Sequence, residues 1–274
     1  LQALAPLMIT VAPNGARKSR RDHAELPITP AQLAATAASC VAAGACMLHL
    51  HVRDQDGGHS LDPDHYRPAL QAIRQAVGTD LIIQITTEAV GRYQPAQQMQ
   101  AVRELRPEAV SLAVRELCPT AADEKNAAEF FHWLLRQHIS PQYILYSVAD
   151  ILRCNDLQAR GVIPQQHASV LLVLGRYTAQ QQSNAADLEP LLAAMDSQNS
   201  WALCAFGATE AECMRHAIMA GGHCRVGFEN NVFLPDGSAA PDNAALVRGV
   251  ATAATQLGRK VASAHEARLL LGIT

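Results

Sequence analysis

Eight short apolar runs rich in β-branched residues recur along this chain, spaced so that a helix fits between neighbours: LMITVA (7–12), CMLHLHV (46–52), LIIQIT (81–86), AVSLAV (109–114), YILYSV (143–148), SVLLVLG (169–175), WALCAF (201–206) and HCRVGF (223–228). Strand then helix, repeated, is the signature of a parallel sheet, because each parallel strand needs a crossover to return to the same end. Helix starts are written into the connections. Thr29-Pro30 with Gln32, Asp62-Pro63, and Thr209 with Glu212 each supply a capping residue with a proline or a reciprocal acid or amide. HEARLLLG, after Lys260, reads as a closing helix. Eight such units in 274 residues fit an α/β (β/α)8 TIM barrel, residues 1–274 as one domain, better than an open doubly wound sheet.

Charge and composition exclude several functions. A net charge of -3, with Lys and Arg scattered, offers no footprint for nucleic acid or an anionic membrane. No basic, apolar leader and no membrane-length apolar run is present. Seven dispersed cysteines without C-x-x-C spacing suggest neither a disulfide framework nor a zinc ribbon, so the expected location is the reducing cytoplasm. No glycine-rich nucleotide motif follows the first strand, where APNG (12–15) reads as a proline turn.

The second strand holds the chemistry. Strand side chains alternate, so His49 and His51 share one face with Cα atoms about 6.5 to 7 Å apart, while Leu48, Leu50 and Val52 share the other. The apolar set suits the helix-facing side, which turns both imidazoles inward near the carboxyl end, where barrel active sites lie. Each can be a core histidine with its own hydrogen-bond partner, or the two can share a metal ion. A third ligand is available in HCRVGFENN, which puts Arg225, Gly227 and Glu229 on one face of the last strand. Glu229 can equally be a loop or capping acid. Two imidazoles and one carboxylate with open positions suit a catalytic zinc or a non-haem iron. Arg225 then offers a cation for a substrate carboxylate, or serves a structural ion pair, and Gly227 leaves room for the substrate. On the third strand, the Thr86 and Thr87 hydroxyls can bind a carboxylate or cap a helix.

These residues, together with LPITPAQLA (26–34), AGACMLHLHVRDQDGGHSLDPDHY (43–66), LIIQITT (81–87) and AGGHCRVGFENNVF (220–233), resemble the β-keto acid cleavage enzymes. The resemblance implies a (β/α)8 barrel, a homo-oligomer of two or four chains, and Zn2+ held by His49, His51 and Glu229. It also implies an acyltransferase that joins a β-keto acid to acetyl-CoA and releases acetoacetate and a new acyl-CoA. Arg225, Thr86 and Ser111 match positions that hold the substrate carboxylate. The chain departs from the family pattern in three places. Asn230 stands where the family commonly has an aspartate, and an amide takes no proton at neutral pH. Arg17 and Ile144 stand where members that handle an amino-bearing substrate carry acids, so a cationic substrate is disfavoured and Arg17 can attract a second carboxylate. The loops containing Thr87-Glu88-Ala89-Val90 and GRYTAQQQSN (175–184) lack the glycine-rich character seen there, which puts acetyl-CoA use in question. Rival readings are a metal-dependent hydrolase or lyase, and a silent metabolite-binding barrel. If Asn230 has lost the base function, His23, Glu88 and Glu116 are the loop groups available to replace it.

Overall fold

The structure, a computed structural model, describes residues 4–165 and 167–273. Strands β1 (Ile9–Val11), β2 (Met47–Leu50), β3 (Ile82–Thr86), β4 (Ala109–Ala113), β5 (Ser140–Leu145), β6 (Ser169–Leu174), β7 (Ser200–Ala205) and β8 (His223–Val226) form one closed parallel barrel. β1 completes the ring by pairing with both β2 and β8, with Thr10 opposite Met47 on one side and Arg225 on the other. Helices α1 (Pro30–Ala43), α2 (Pro63–Val77), α3 (Pro95–Leu105), α4 (Val114–Leu117), α5 (Glu124–Arg136), α6 (Val148–Ala159), α7 (Leu188–Ala194), α8 (Glu210–Met219), α9 (Asn243–Gln256) and α10 (Ala264–Leu271) connect or follow the strands.

All eight expected strands form, though some ends move. β5 shifts most: it begins three residues before the apolar run, taking in Pro141 opposite Val110, and stops where Ser147 caps α6 by accepting from Asp150 N. The Thr29–Gln32 capping box closes, and Asp62 accepts from Asp64 N ahead of Pro63. The box expected at Thr209 does not form. Its hydroxyl donates to Ser183 O at 2.8 Å, on the loop after β6, and the Thr209 backbone (φ −83°, ψ 4°) lacks the extended conformation that turns a capping oxygen toward the helix amides.

Alternation along the strands builds two different interiors. Leu48 and Leu50 face outward and pack fully buried with Leu33 of α1 and Tyr66 and Ile73 of α2. Each such aliphatic side chain contributes roughly 1.5–3 kcal/mol by leaving water. Inside the barrel, β2, β3 and β5 supply the polar side chains His49, Gln84 and Gln142. β6 and β7 supply a separate apolar cluster, Leu171, Val173, Ala202 and Cys204 with Phe206 just beyond. All seven cysteines are buried, and among the described residues no helix is long and apolar enough to cross a membrane.

Candidate active site

β2 ends at Leu50, and the chain then leaves the barrel as a two-residue antiparallel ribbon, Val52–Arg53 against His59–Ser60. Val52 is therefore not part of the barrel strand, although it stays in the outer apolar cluster. His49 and His51 both turn inward, and their Nε2 atoms lie 3.0 Å apart. Glu229 Oε2 completes the triangle, 3.6 Å from His49 Nε2 and 3.4 Å from His51 Nε2.

Hydrogen bonding behind the imidazoles decides which ring nitrogens carry protons. Gln84 donates its Nε2 to Gln142 Oε1 at 3.3 Å, so its own Oε1 faces His49 and accepts from Nδ1 at 2.9 Å. That leaves a lone pair on His49 Nε2. On the other ring, His59 Nε2 donates to the Glu88 carbonyl at 3.0 Å, so His59 Nδ1 accepts from His51 Nδ1 at 3.4 Å. His51 Nε2 is left with a lone pair as well. Burial lowers both pKa values, that of His49 to about 4 with Arg225 adding to the effect, so both rings are neutral at physiological pH. Glu229 Oε2 is buried with no hydrogen-bond partner. Three electron-pair donors thus converge with no proton between them, an arrangement that fits a divalent cation and is repulsive without one.

The carboxylate owes its place to two glycines and an arginine. A Cβ on Gly15, whose φ is 63°, would sit 2.6 Å from Glu229 Cγ, so the Asn14-Gly15 turn lets the side chain lie flat against the backbone. Gly227 has φ 137°, and a Cβ there would collide with Ala12 O, the carbonyl that also accepts from Glu229 N at 3.1 Å. Gly227 therefore makes room for the β1 backbone, not for substrate. Arg225 Nη2 holds Glu229 Oε1 at 2.8 Å, which aims the free Oε2 at the imidazoles. Burial pushes this carboxyl up, but the Arg225 guanidinium leads the opposing effects and Glu229 is held well below the usual carboxylate range. The V-R-D continuation of the motif is structural. Arg53 donates to Gly15 O and to Lys18 O at 3.3 Å, and Asp54 accepts from Gly58 N at 2.7 Å to close the ribbon's turn.

A cleft of about 690 Å³, counting its open mouth, lies over these three groups at the carboxyl end of the barrel. Of the residues expected from the sequence, His49, Glu229, Arg225, Thr86, Arg17 and Ile144 line it. Thr86 Oγ1 accepts from Glu88 N at 3.0 Å, which leaves the hydroxyl hydrogen available to the cleft. Thr87, Ser111 and Asn230 are not on the wall. Thr87 donates to Ser111 O at 2.9 Å, and the Ser111 hydroxyl is fully buried without a partner. The Asn230 amide is engaged twice by Arg225, its Oδ1 accepting from Nη2 and its Nδ2 donating to the backbone carbonyl, each at 3.3 Å.

Among the three loop groups, only Glu88 reaches the cleft. Glu116 accepts from Ala89 N at 3.0 Å and Gln98 Nε2 at 2.8 Å, and His23 is bonded to Ala240 O at 2.8 Å. Burial raises the Glu88 pKa, the charge of Glu229 adds to the rise, and Arg176 and Arg17 oppose it. Lys18 and Arg176 also line the cleft, and neither stood out in the sequence. Lys18 Nζ donates to Phe228 O at 2.6 Å and Glu229 O at 3.1 Å, which locks its loop over β8.

Comparison with known proteins finds relatives of the same length and a solved structure of the same fold. A 3-keto-5-aminohexanoate cleavage enzyme from Fusobacterium nucleatum is 31% identical over 273 residues, 97% of this chain and 98% of that one. A protein from Cupriavidus necator named 3-oxoadipate:acetyl-CoA acetyltransferase is 29% identical, over 98% of this chain and 95% of its own. Among solved structures, apo ObcA superposes with a TM-score of 0.74 at 15% identity; the match takes in 91% of this chain and 66% of the ObcA chain, a likeness of fold. The profile of the beta-keto acid cleavage enzymes matches residues 6–273, a span that contains every ligand and wall residue named above, and the chain belongs to that family.

Proposed function

We propose that this chain is a zinc-dependent acyltransferase that condenses a β-keto acid with acetyl-CoA to give acetoacetate and an acyl-CoA. The observation that carries the reading is the convergence of His49 Nε2, His51 Nε2 and Glu229 Oε2, all within 4.8 Å of one another, with no proton to share. Family membership and the name of the Cupriavidus necator relative support the reaction class. A zinc ion on these three groups would supply a Lewis acid for the β-keto oxygen.

The chain's own residues account for the rest. Arg225, buried behind Glu229 with its Nε unpartnered, and the Thr86 hydroxyl offer donors for the β-keto carboxylate. Glu88, the one carboxylate besides Glu229 among the described residues lining the cleft, takes the proton from the carbon between the two carbonyls. That carbon attacks the acetyl carbonyl as the CoA thiolate departs. The thiolate then adds to the original keto carbon, the bond to the former C2 breaks, and that carbon regains a proton from Glu88. The atoms balance as acetoacetate plus the new acyl-CoA. Phe206, Val173 and Ile144 keep one wall apolar and limit competing hydrolysis.

The test is product analysis of the purified, zinc-loaded protein with a panel of β-keto acids. Acetoacetate should appear only with acetyl-CoA present and should cease on chelation. Consumption of the β-keto acid without acetyl-CoA would instead support a hydrolase or lyase.

A further inference from the structure

The loop after β6 carries a cation that the reaction above leaves unused. Arg176 belongs to the cleft wall, and its side chain is 18% exposed. Its guanidinium makes no hydrogen bond to any described residue, and its charge partner Glu88 stands off at 3.8 Å, beyond hydrogen-bond reach. Its donors open to the cleft and meet no acceptor among the described residues, so they are available to a ligand anion. The group is nevertheless held in place. The Phe206 ring lies 5.3 Å from it and the Tyr177 ring 5.8 Å, and Gln181 Nε2 donates to its backbone carbonyl at 3.3 Å. Its neighbour Gly175 has φ 77°, and a Cβ there would meet Ser183 Oγ at 2.6 Å, so the loop's course is set by packing.

The charges around the cleft give the same direction. Four cations, Arg17, Lys18, Arg176 and Arg225, line it against two carboxylates, Glu88 and Glu229. Arg225 is paired with Glu229 and Lys18 is committed to backbone carbonyls. Arg17 and Arg176 are left to share Glu88, at 3.4 and 3.8 Å, so this side of the cleft carries surplus positive charge. Ile144 and Val173 form an apolar stretch of the same wall. A ligand that satisfies all of this has one carboxylate beside its β-keto group, a short aliphatic chain, and a second carboxylate.

We propose that Arg176 binds the distal carboxylate of the substrate and that the substrate is a β-keto dicarboxylic acid. This inference rests on the reaction proposed above and adds the chemical class of the acyl chain. Arg17, with a side chain 60% exposed at the rim, assists from solvent, while Arg176 supplies the more buried contact. The other anion in the reaction is acetyl-CoA, whose phosphates trail its thioester by the length of the pantetheine arm, and the two sources are separable.

The experiment compares 3-oxoadipate with 3-oxohexanoate, acids of equal carbon number that differ in the terminal carboxylate, on the zinc-loaded protein and on Arg176→Gln and Arg176→Lys. The wild type should prefer the dicarboxylate. Arg176→Gln should lower the ratio of kcat/KM values, dicarboxylate over monocarboxylate, by about 10- to 100-fold, chiefly through KM, with Arg176→Lys retaining part of the preference. Calorimetric titration of both acids without acetyl-CoA should show the same loss of discrimination in binding, independent of turnover. The proposal is overturned if the wild type shows no preference, if Arg176→Gln leaves the ratio unchanged, or if its effect falls on the KM for acetyl-CoA. Failure of every β-keto acid to bind or react would remove the reaction itself, whereas turnover without carboxylate preference removes the subsite alone.

Discussion

The two walls of the barrel interior obey opposite rules. On the β2–β3 side each inward ring and amide is held from behind: Gln142 holds Gln84, Gln84 holds His49, and His59 holds His51. On the side formed by β6, β7 and Ile144 of β5 the wall is apolar, and the cation above it, Arg176, has no hydrogen-bond acceptor among the described residues. A satisfied network fixes geometry, as a metal site requires, whereas an unsatisfied donor on a rigid loop is a binding determinant. The contrast also divides the labour, with one wall holding what stays and the other selecting what comes and goes.

The largest break in that division should come from Glu88, which bridges the walls through its backbone contact to His59 and its charge contact to Arg176. Glu88→Gln should lower kcat by about 10²- to 10⁴-fold, measured as acetoacetate formation with zinc content unchanged. A base must be deprotonated to act, so wild-type kcat/KM should rise with pH through the Glu88 pKa. That pKa lies above the usual glutamate value because burial and the Glu229 charge outweigh Arg176 and Arg17. Glu116 adds to the rise. The acid limb should vanish in the variant.

A smaller effect is expected behind the metal ligands. His59→Leu removes the acceptor that fixes the His51 tautomer, and zinc affinity measured by competition with a chelator should weaken about 10- to 100-fold while the circular dichroism spectrum stays native. An unchanged affinity would mean that the ordered wall is packing without consequence for the metal. Next in size is substrate charge. 5-Amino-3-oxohexanoate should be turned over less efficiently than 3-oxohexanoate, since Arg17, Arg176 and Ile144 offer no acid for an ammonium; the reverse order would refute the reading of that wall. The smallest change is expected at Asn230. Asn230→Asp should leave kcat close to wild type, because the amide is bound at both ends by Arg225 and lies off the cleft wall. A clear gain in rate would transfer the proton step from Glu88 to that position.

His49 and His51 were legible from the residues, Arg17 and Ile144 only through the family resemblance, and His59 and Arg176 not at all. Alternation is a local rule, so L-H-L-H sufficed to turn His49 and His51 inward; it did not place Glu229, because β8 ends at Val226 and the carboxylate reaches the rim from the turn that Gly227 opens. His223, on the same face of β8 as Arg225, shows the bland fate available to an inward histidine: its Nδ1 accepts from Met8 N at 3.0 Å, and it is not part of the His49, His51 and Glu229 cluster. Features set by distant chain segments left no local trace. His59 becomes a partner of His51 only because the chain after β2 folds back as a ribbon, and Arg176 acquires meaning only from Phe206 and Glu88. Gly227 was assigned to substrate space, but the β1 backbone fills that space. The early start of β5 at Ser140 was hidden by Pro141, whose missing N–H reads as a break yet is tolerated beside β4.

All of this depends on one cation bound by His49, His51 and Glu229. The direct measurement is the zinc content of the purified wild type and of His51→Ala, each prepared in the same zinc-supplemented medium and checked for native circular dichroism. One zinc per chain in the wild type and its loss from the folded variant is the predicted result. Equal metal content in the two proteins would contradict it.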